Sequence, residues 1–227
     1  MVRIILFDLD NTILDFNRAE ANAIHKTLKS LGIEPSADNK KRYSEINLSQ
    51  WKLLERGEIT RAELLTRRFD LLFEELKVKR DSLLAWNTYE RELSGGCYFM
   101  DGAKELLYEL EKRQQYRLFI VSNGTASVQE GRIKGAKLKK YFEDIFISEL
   151  IGYNKPDKRF FDYCFAHIKD FHREETLLVG DSLSSDILGG INAGIPTCWF
   201  HGEGITNGTD IIPDFEITRL SKLLAII

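Results

Sequence analysis

The segment Ile4-Ile5-Leu6-Phe7-Asp8-Leu9-Asp10-Asn11-Thr12 limits the possible folds of this chain more than any other. Ile4 to Phe7 are apolar without interruption, which reads as a strand buried on both faces, the pattern of a parallel-sheet centre. The strand runs directly into two aspartates. While the backbone stays extended, residues i and i+2 project to one side, so Asp8 and Asp10 would aim both carboxyls at one point. Carboxylates that close repel, and they call for a cation or a shared proton. Ligands of open α/β sheets also sit at the carboxyl ends of strands. Asp and Asn are ordinary turn residues as well, so this segment alone leaves a solvated turn open.

The rest of the chain supplies a context for that strand. Between about Phe16 and Leu93 there is no strand pattern. Helical runs occur at 19–31, 39–54, 61–76 and 81–93, with apolar residues three and four apart, as in Leu64, Leu65, Phe69, Leu72, Phe73 and Leu76. After Cys97 the pattern alternates. A helix opens at Asp101-Gly102, a strand covers 117–121, a helix begins near Thr125 and a short strand covers 145–147. Pro156 is expected in the first turn of another helix. A strand at 176–179, a helix from about Ser184, a strand at 197–200 and a last helix from Thr218 complete the series. Alternation of this kind predicts a parallel sheet covered on both faces, to which the first strand also belongs. Residues 15–95 are then an insertion, and the core is 1–14 with 96–227.

Composition excludes several classes. The formal net charge of −3 gives no sign of a nucleic-acid polymer or membrane surface as partner. Lys137, Lys139 and Lys140 read as a solvated face. Cys97, Cys164 and Cys198 are odd in number and far apart, which argues against a disulfide framework or zinc knuckle and fits a reducing cytoplasm. The first apolar run stops at Asp8, unlike a signal peptide, and no segment approaches the ~20 apolar residues of a membrane span. His25, His167, His172 and His201 lack the spacing of a metal site or triad.

Three further polar clusters follow apolar strands. Ser122-Asn123-Gly124 offers a hydroxyl and backbone N–H groups to an anionic oxygen ahead of a helix N-terminus, although the same tripeptide is an everyday turn. Lys155 precedes Pro156, which would hold it extended, although an isolated Lys-Pro is more often a surface feature. Asp181 and Asp186 add two carboxylates across a strand-to-helix turn. Hard oxygen ligands without neighbouring His or Cys suit Mg²⁺ rather than zinc. Together these residues describe a site for Mg²⁺ and a phosphoryl group. A carboxylate can attack phosphorus, the metal can offset charge, lysine and serine can hold oxygens, and a second carboxyl can transfer the proton.

The order D-x-D-x-T, S-N-G, K-P and G-D-x-x-x-x-D resembles the four motifs of the haloacid dehalogenase superfamily, in the subclass with a helical cap between the first two motifs. The resemblance implies a Rossmann-like α/β parallel sheet with helices on both faces and an inserted all-helical cap. It implies that Asp8 is the nucleophile and that Asp10 is the general acid/base, its backbone carbonyl also binding Mg²⁺. Ser122, Asn123 and Lys155 would bind phosphate and Asp181 would ligate the metal. Asp186 would act behind it or through water, and Thr12 would orient the loop. Residues 51–60 (WKLLERGEIT), 155–161 (KPDKRFF) and 187–199 (ILGGINAGIPTCW) are similar to the cytoplasmic pyrimidine 5′-nucleotidases, implying nucleoside monophosphates as substrates. A small sugar-phosphate phosphatase or phosphomutase shares the motifs and is the alternative. A 2-haloacid dehalogenase would lack Asp10, and a non-catalytic binding protein would have lost a carboxylate or the lysine. Phe16, on a loop past the first motif, is the expected substrate contact, whereas Trp51 and Phe73 read as helix-packing core, and Gly189-Gly190 as a close helix–sheet approach.

Overall fold

A computed structural model describes residues 2–227. The strands are β1 (Ile4–Phe7), β2 (Arg117–Ser122), β3 (Asp144–Ile147), β4 (Thr176–Gly180), β5 (Thr197–Phe200) and β6 (Phe215–Ile217). They form one parallel sheet in the order β3-β2-β1-β4-β5-β6. From β1 the chain winds out to β3 and then crosses back to add β4 beside β1. This reversal opens a crevice at the carboxyl ends of β1 and β4, where Asp8 and Asp181 stand. Alternate residues of β1 pack on opposite faces: Ile5 and Phe7 meet Leu106, Leu107 and Ile133, while Ile4 and Leu6 meet Phe160, Phe161 and Cys164. Those partners come from α5 (Ala103–Arg113) and α6 (Ala126–Gly135) on one side and α8 (Lys158–His167) on the other. The absence of polar alternation in β1 thus reflects two apolar faces.

Between β1 and α5 lie only helices: α1 (Phe16–Ser30), α2 (Ala37–Glu55), α3 (Arg61–Glu75) and α4 (Ser82–Ser94). Each begins at a side-chain cap that satisfies orphan N–H groups. Asp15, Ser36 and Asp81 cap α1, α2 and α4, and Thr60 forms a reciprocal capping box with Glu63 on α3. The four helices share an apolar cluster, joined by Val128 of α6 and centred on the rings of Tyr43, Phe69 and Tyr89, which lie 5.2–5.8 Å apart. Phe73 belongs to this cluster, as expected.

Some local expectations are corrected. Pro156 is outside its helix, because Asp157 is the N-cap and α8 starts at Lys158. Phe16 is the first residue of α1 rather than part of a loop, since Asp15 caps the helix three residues earlier than the apolar repeat suggested. The chain ends in a 3₁₀ turn, Leu220–Ala225, in place of an α-helix. A short helix α7 (Ser148–Ile151) and the three-residue edge strand β6 were not expected. Gly189 and Gly190 do serve close approach. A Cβ at Gly189 would lie 2.6 Å from the Phe161 ring, and one at Gly190 would lie 2.4 Å from Thr197. The three cysteines are free, and among the described residues no helix is long and apolar enough to cross a membrane.

Candidate active site

The sheet brings residues distant in sequence to one crevice. β1 delivers Asp8, whose backbone N–H donates to the Val179 carbonyl of β4 at 2.9 Å. β4 ends at Gly180, and Asp181 follows. Ser182 caps the next turn by accepting from the Ser185 N–H, and that turn carries Asp186 back toward the strand. A Cβ at Gly180 would lie 2.4 Å from Asp186 Cγ, so the glycine is what lets this carboxylate approach. One oxygen each from Asp8, Asp181 and Asp186 lie within 4.8 Å of one another.

Lys155 sits among them, 1% exposed. Its ammonium spends all three protons, on Asp8 Oδ1 and Asp186 Oδ1 at 2.6 Å each and on the Val121 carbonyl at 2.8 Å. Burial alone would lower its pKa, but Asp186 and Asp8 outweigh it and hold the ammonium above the ordinary lysine value. Burial pushes Asp8 up to about 7; Lys155 pulls it down, while Asp186 and Asp10 add to the rise. Asp181 is raised as well, by burial and then by Asp8 and Asp186. One lysine does not balance three carboxylates, two of them buried and that of Asp181 half-buried. The donor set is all hard oxygen, so a small divalent cation fits the cluster.

Asp10 lines the same cavity as Asp8, near enough for its charge to raise the Asp8 pKa, and Asn11 turns the chain after it at φ 55°, a conformation asparagine tolerates. Its carboxylate also pairs with Arg132 and accepts from Gln129 Nε2 at 2.7 Å. Both partners lie on α6, and both were missed in the sequence. Gln129 also donates to Ser122 Oγ at 2.8 Å, and Arg132, fully buried, reaches the Gly96 carbonyl. A signal existed. Gln129 and Arg132 each lie four residues from an apolar core residue, Ile133 and Val128, so the pattern puts polar groups on the buried face of α6.

The remaining expected residues divide. Ser122 Oγ accepts from Gly124 N–H and Gln129, which leaves its own proton to donate. Asn123 is spent differently: its side chain donates to the Lys155 carbonyl at 2.9 Å and accepts from the Lys155 N–H at 2.8 Å. It anchors the lysine's backbone. Thr12 is buried, and its hydroxyl has no hydrogen-bond partner among the described residues.

A cavity of about 190 Å³ lies over the carboxylates, between the sheet and the four helices. Phe16, Leu48, Trp51, Glu55, Arg68 and Trp86 form its outer wall. Phe16 lines the cavity from the start of α1, and Trp51, read as packing core, also faces the site. The helices also bond to the sheet side. Arg61 donates to the Asn123 carbonyl, Ser148 Oγ and Asn154 Oδ1 at 2.7–3.0 Å, and Glu55 accepts from Ser184 Oγ at 3.0 Å.

With this geometry in hand, similarity to known proteins is decisive. The sequence profile of the haloacid dehalogenase-like hydrolases matches residues 5–200. The chain belongs to the haloacid dehalogenase-like hydrolases. Among members of that family it is similar to YfnB of Bacillus subtilis, described as a HAD-hydrolase, at 40% identity over 99% of this chain and 95% of that one. It is also similar to the pyrimidine 5′-nucleotidase PynA of Streptococcus pneumoniae, at 36% identity over 98% and 93%. The crystal structure of magnesium-bound YfnB, which reveals interdomain movement, superposes with a TM-score of 0.93 over 99% of this chain and 98% of the other. This haloacid dehalogenase-like hydrolase is an enzyme of the phosphatase kind.

Proposed function

We propose that the chain is a Mg²⁺-dependent phosphomonoester hydrolase that works through an aspartyl phosphate on Asp8, with pyrimidine nucleoside 5′-monophosphates as substrates and residues 15–95 as its cap. The observation that carries this reading is the buried Asp8–Lys155–Asp186 arrangement with Asp181 beside it, at the carboxyl ends of β1 and β4. Asp8 and Asp181 would hold the metal with the Asp10 carbonyl. Asp186 has one oxygen on Lys155 and the other on the Ser182 N–H, so it would act through water. Mg²⁺, when bound, would neutralise charge between Asp8 and the phosphoryl oxygens. The magnesium of the YfnB structure and the names of PynA and of the pyrimidine 5′-nucleotidase YjjG of Escherichia coli support metal and substrate.

In this mechanism Asp8 attacks phosphorus, and the bond from phosphorus to the leaving oxygen breaks. Asp10 gives that oxygen a proton, for which its carboxyl must exchange a bond with Gln129 or Arg132 for one to substrate. Lys155, the Ser122 hydroxyl and backbone N–H groups after Asn123 hold the phosphoryl oxygens. Asp10 then takes a proton from water, which attacks the same phosphorus and frees Asp8. The cap's aromatic wall excludes bulk water.

A screen of nucleoside monophosphates, sugar phosphates and an aryl phosphate tests the reading. Activity should need Mg²⁺, vanish with EDTA and be highest on pyrimidine nucleotides. Full turnover in metal-free protein rejects the mechanism, and a flat profile or a sugar-phosphate preference rejects the substrate class.

A further inference from the structure

The polar centre of the four-helix segment takes no part in phosphoryl transfer, yet it opens onto the same cavity. Arg68 of α3 is 3% exposed and lines that cavity. Its Nη1 donates to Asn47 Oδ1 at 2.7 Å, and its Nε makes a long contact of 3.4 Å to the Leu65 carbonyl. Among the described residues Nη2 has no hydrogen-bond partner, although buried donors are nearly always satisfied. Nη2 is also not among the side-chain nitrogens sealed from solvent without a partner, as Arg61 Nη1 and Arg132 Nη2 are, so it retains access to the cavity. The guanidinium lies over the rings of Phe69, Trp86 and Tyr89, at 4.9–5.5 Å. Its position is set from behind: Asn47 donates to Glu20 Oε1 at 2.7 Å, and Ser44 bonds the other oxygen of Glu20.

We infer that Arg68 is a specificity-determining residue whose free Nη2 donates to a carbonyl oxygen on a planar ring at the end of the substrate remote from phosphorus. This rests on the nucleotide reading above and deepens it: the substrate class is a phosphomonoester bearing an oxo-pyrimidine. Three observations select a neutral acceptor over a second anion. Glu20, one side chain behind Asn47, already gives the guanidinium a carboxyl partner through Asn47. Glu55 lines the same cavity and would oppose an added negative group. The phosphate, finally, has its own cation in Lys155 at the floor of the cavity. The flat walls of Phe16, Trp51 and Trp86 suit a ring, and a fork fixed by Asn47 fixes where its carbonyl must lie. A site built around such a donor rejects analogues that lack the acceptor, because the donor is then left buried and unpaired.

The test is kcat/KM with saturating Mg²⁺ for dUMP, dTMP, 2-deoxyribose 5-phosphate and phenyl phosphate, in the wild type and Arg68→Gln. A charge-assisted bond predicts a loss of roughly ten- to a hundredfold on the two nucleotides. The two substrates without a ring carbonyl should stay within about twofold, which also shows that the variant is folded. Equal loss on all four substrates would mean that Arg68 only holds the helices together, and no loss on any would mean that it touches nothing. Either overturns the inference. A wild-type preference for 2-deoxyribose 5-phosphate would refute the nucleotide reading separately, and the same comparison across substrates would still decide Arg68. Should Arg68→Gln fail to fold, deoxyuridine inhibition of phenyl phosphate hydrolysis is compared between wild type and Arg68→Lys. The Lys variant keeps the charge and loses the fork. Inhibition weakened about fivefold or more upholds the inference, and unchanged inhibition overturns it.

Discussion

Lys155 and Arg68 are both buried cations facing one cavity, and they are wired in opposite ways. Every proton of the Lys155 ammonium is committed to a neighbour fixed at a strand end: Asp8, Asp186 and the Val121 carbonyl. The Arg68 guanidinium is held from behind by Asn47 and keeps one nitrogen unspent. The first arrangement is closed on itself, and only a group that brings its own charge, such as a metal or a phosphoryl group, can rearrange it. The second is an open valence that waits for an acceptor. Closed wiring suits chemistry that is the same for every substrate; open wiring suits choice among substrates. On the proposed mechanism the sheet would carry the reaction and the helices the selection.

The largest effect should come from the closed side. Asp8→Asn should leave the circular dichroism spectrum unchanged and lower kcat by about 10³-fold or more, because an amide cannot attack phosphorus. A variant retaining a tenth of the rate would make water the nucleophile. Asp10→Asn should cost about 10²–10⁴-fold on a nucleotide and much less on an activated aryl phosphate, whose leaving group needs little proton. Equal losses on both would turn Asp10 into a holder of Arg132 and Gln129 and blur the contrast. On the open side, Phe16→Ala should change kcat/KM among nucleotides by roughly tenfold, with phenyl phosphate nearly unaffected. Parallel loss on every substrate would break the division of labour.

The smallest effect is thermodynamic. Asp8 has a pKa of about 7 in the folded protein against 3.8 ordinarily. Between those values the folded state binds more protons than the unfolded one, so the metal-free protein should lose stability as pH rises through that window. Mg²⁺ needs the deprotonated carboxylates, and it should raise the melting temperature by roughly 5 °C at pH 8 and by less at pH 5. Equal stabilisation at both pH values would place the metal elsewhere.

How far the sequence could be read follows the same divide. Asp8, Asp181, Asp186 and Lys155 were legible because each follows an apolar strand or precedes a helix, where position in the chain nearly dictates position in space. The sheet was legible for the same reason, apart from β6, whose three residues carry no period. Asp8 and Asp10 line one cavity, but the bonds of Asp10 to Gln129 and Arg132 depend on how α6 packs. Gln129 and Arg132 carried a signal in their spacing from Ile133 and Val128, whereas only tertiary packing shows that Arg68 faces inward. Asn123 was assigned to phosphate, but its amide completes the backbone of Lys155. Which of two nearby polar groups it would choose is a matter of ångströms that spacing does not contain.

The proposed aspartyl-phosphate mechanism depends above all on attack at phosphorus by a carboxylate oxygen of Asp8. The most direct test is the stereochemistry of hydrolysis, using a phosphomonoester made chiral at phosphorus with oxygen isotopes and sulfur and read by ³¹P NMR of the product. Two successive in-line displacements, first by Asp8 and then by water, predict net retention. Net inversion would mean a single displacement by water and would contradict the aspartyl-phosphate mechanism.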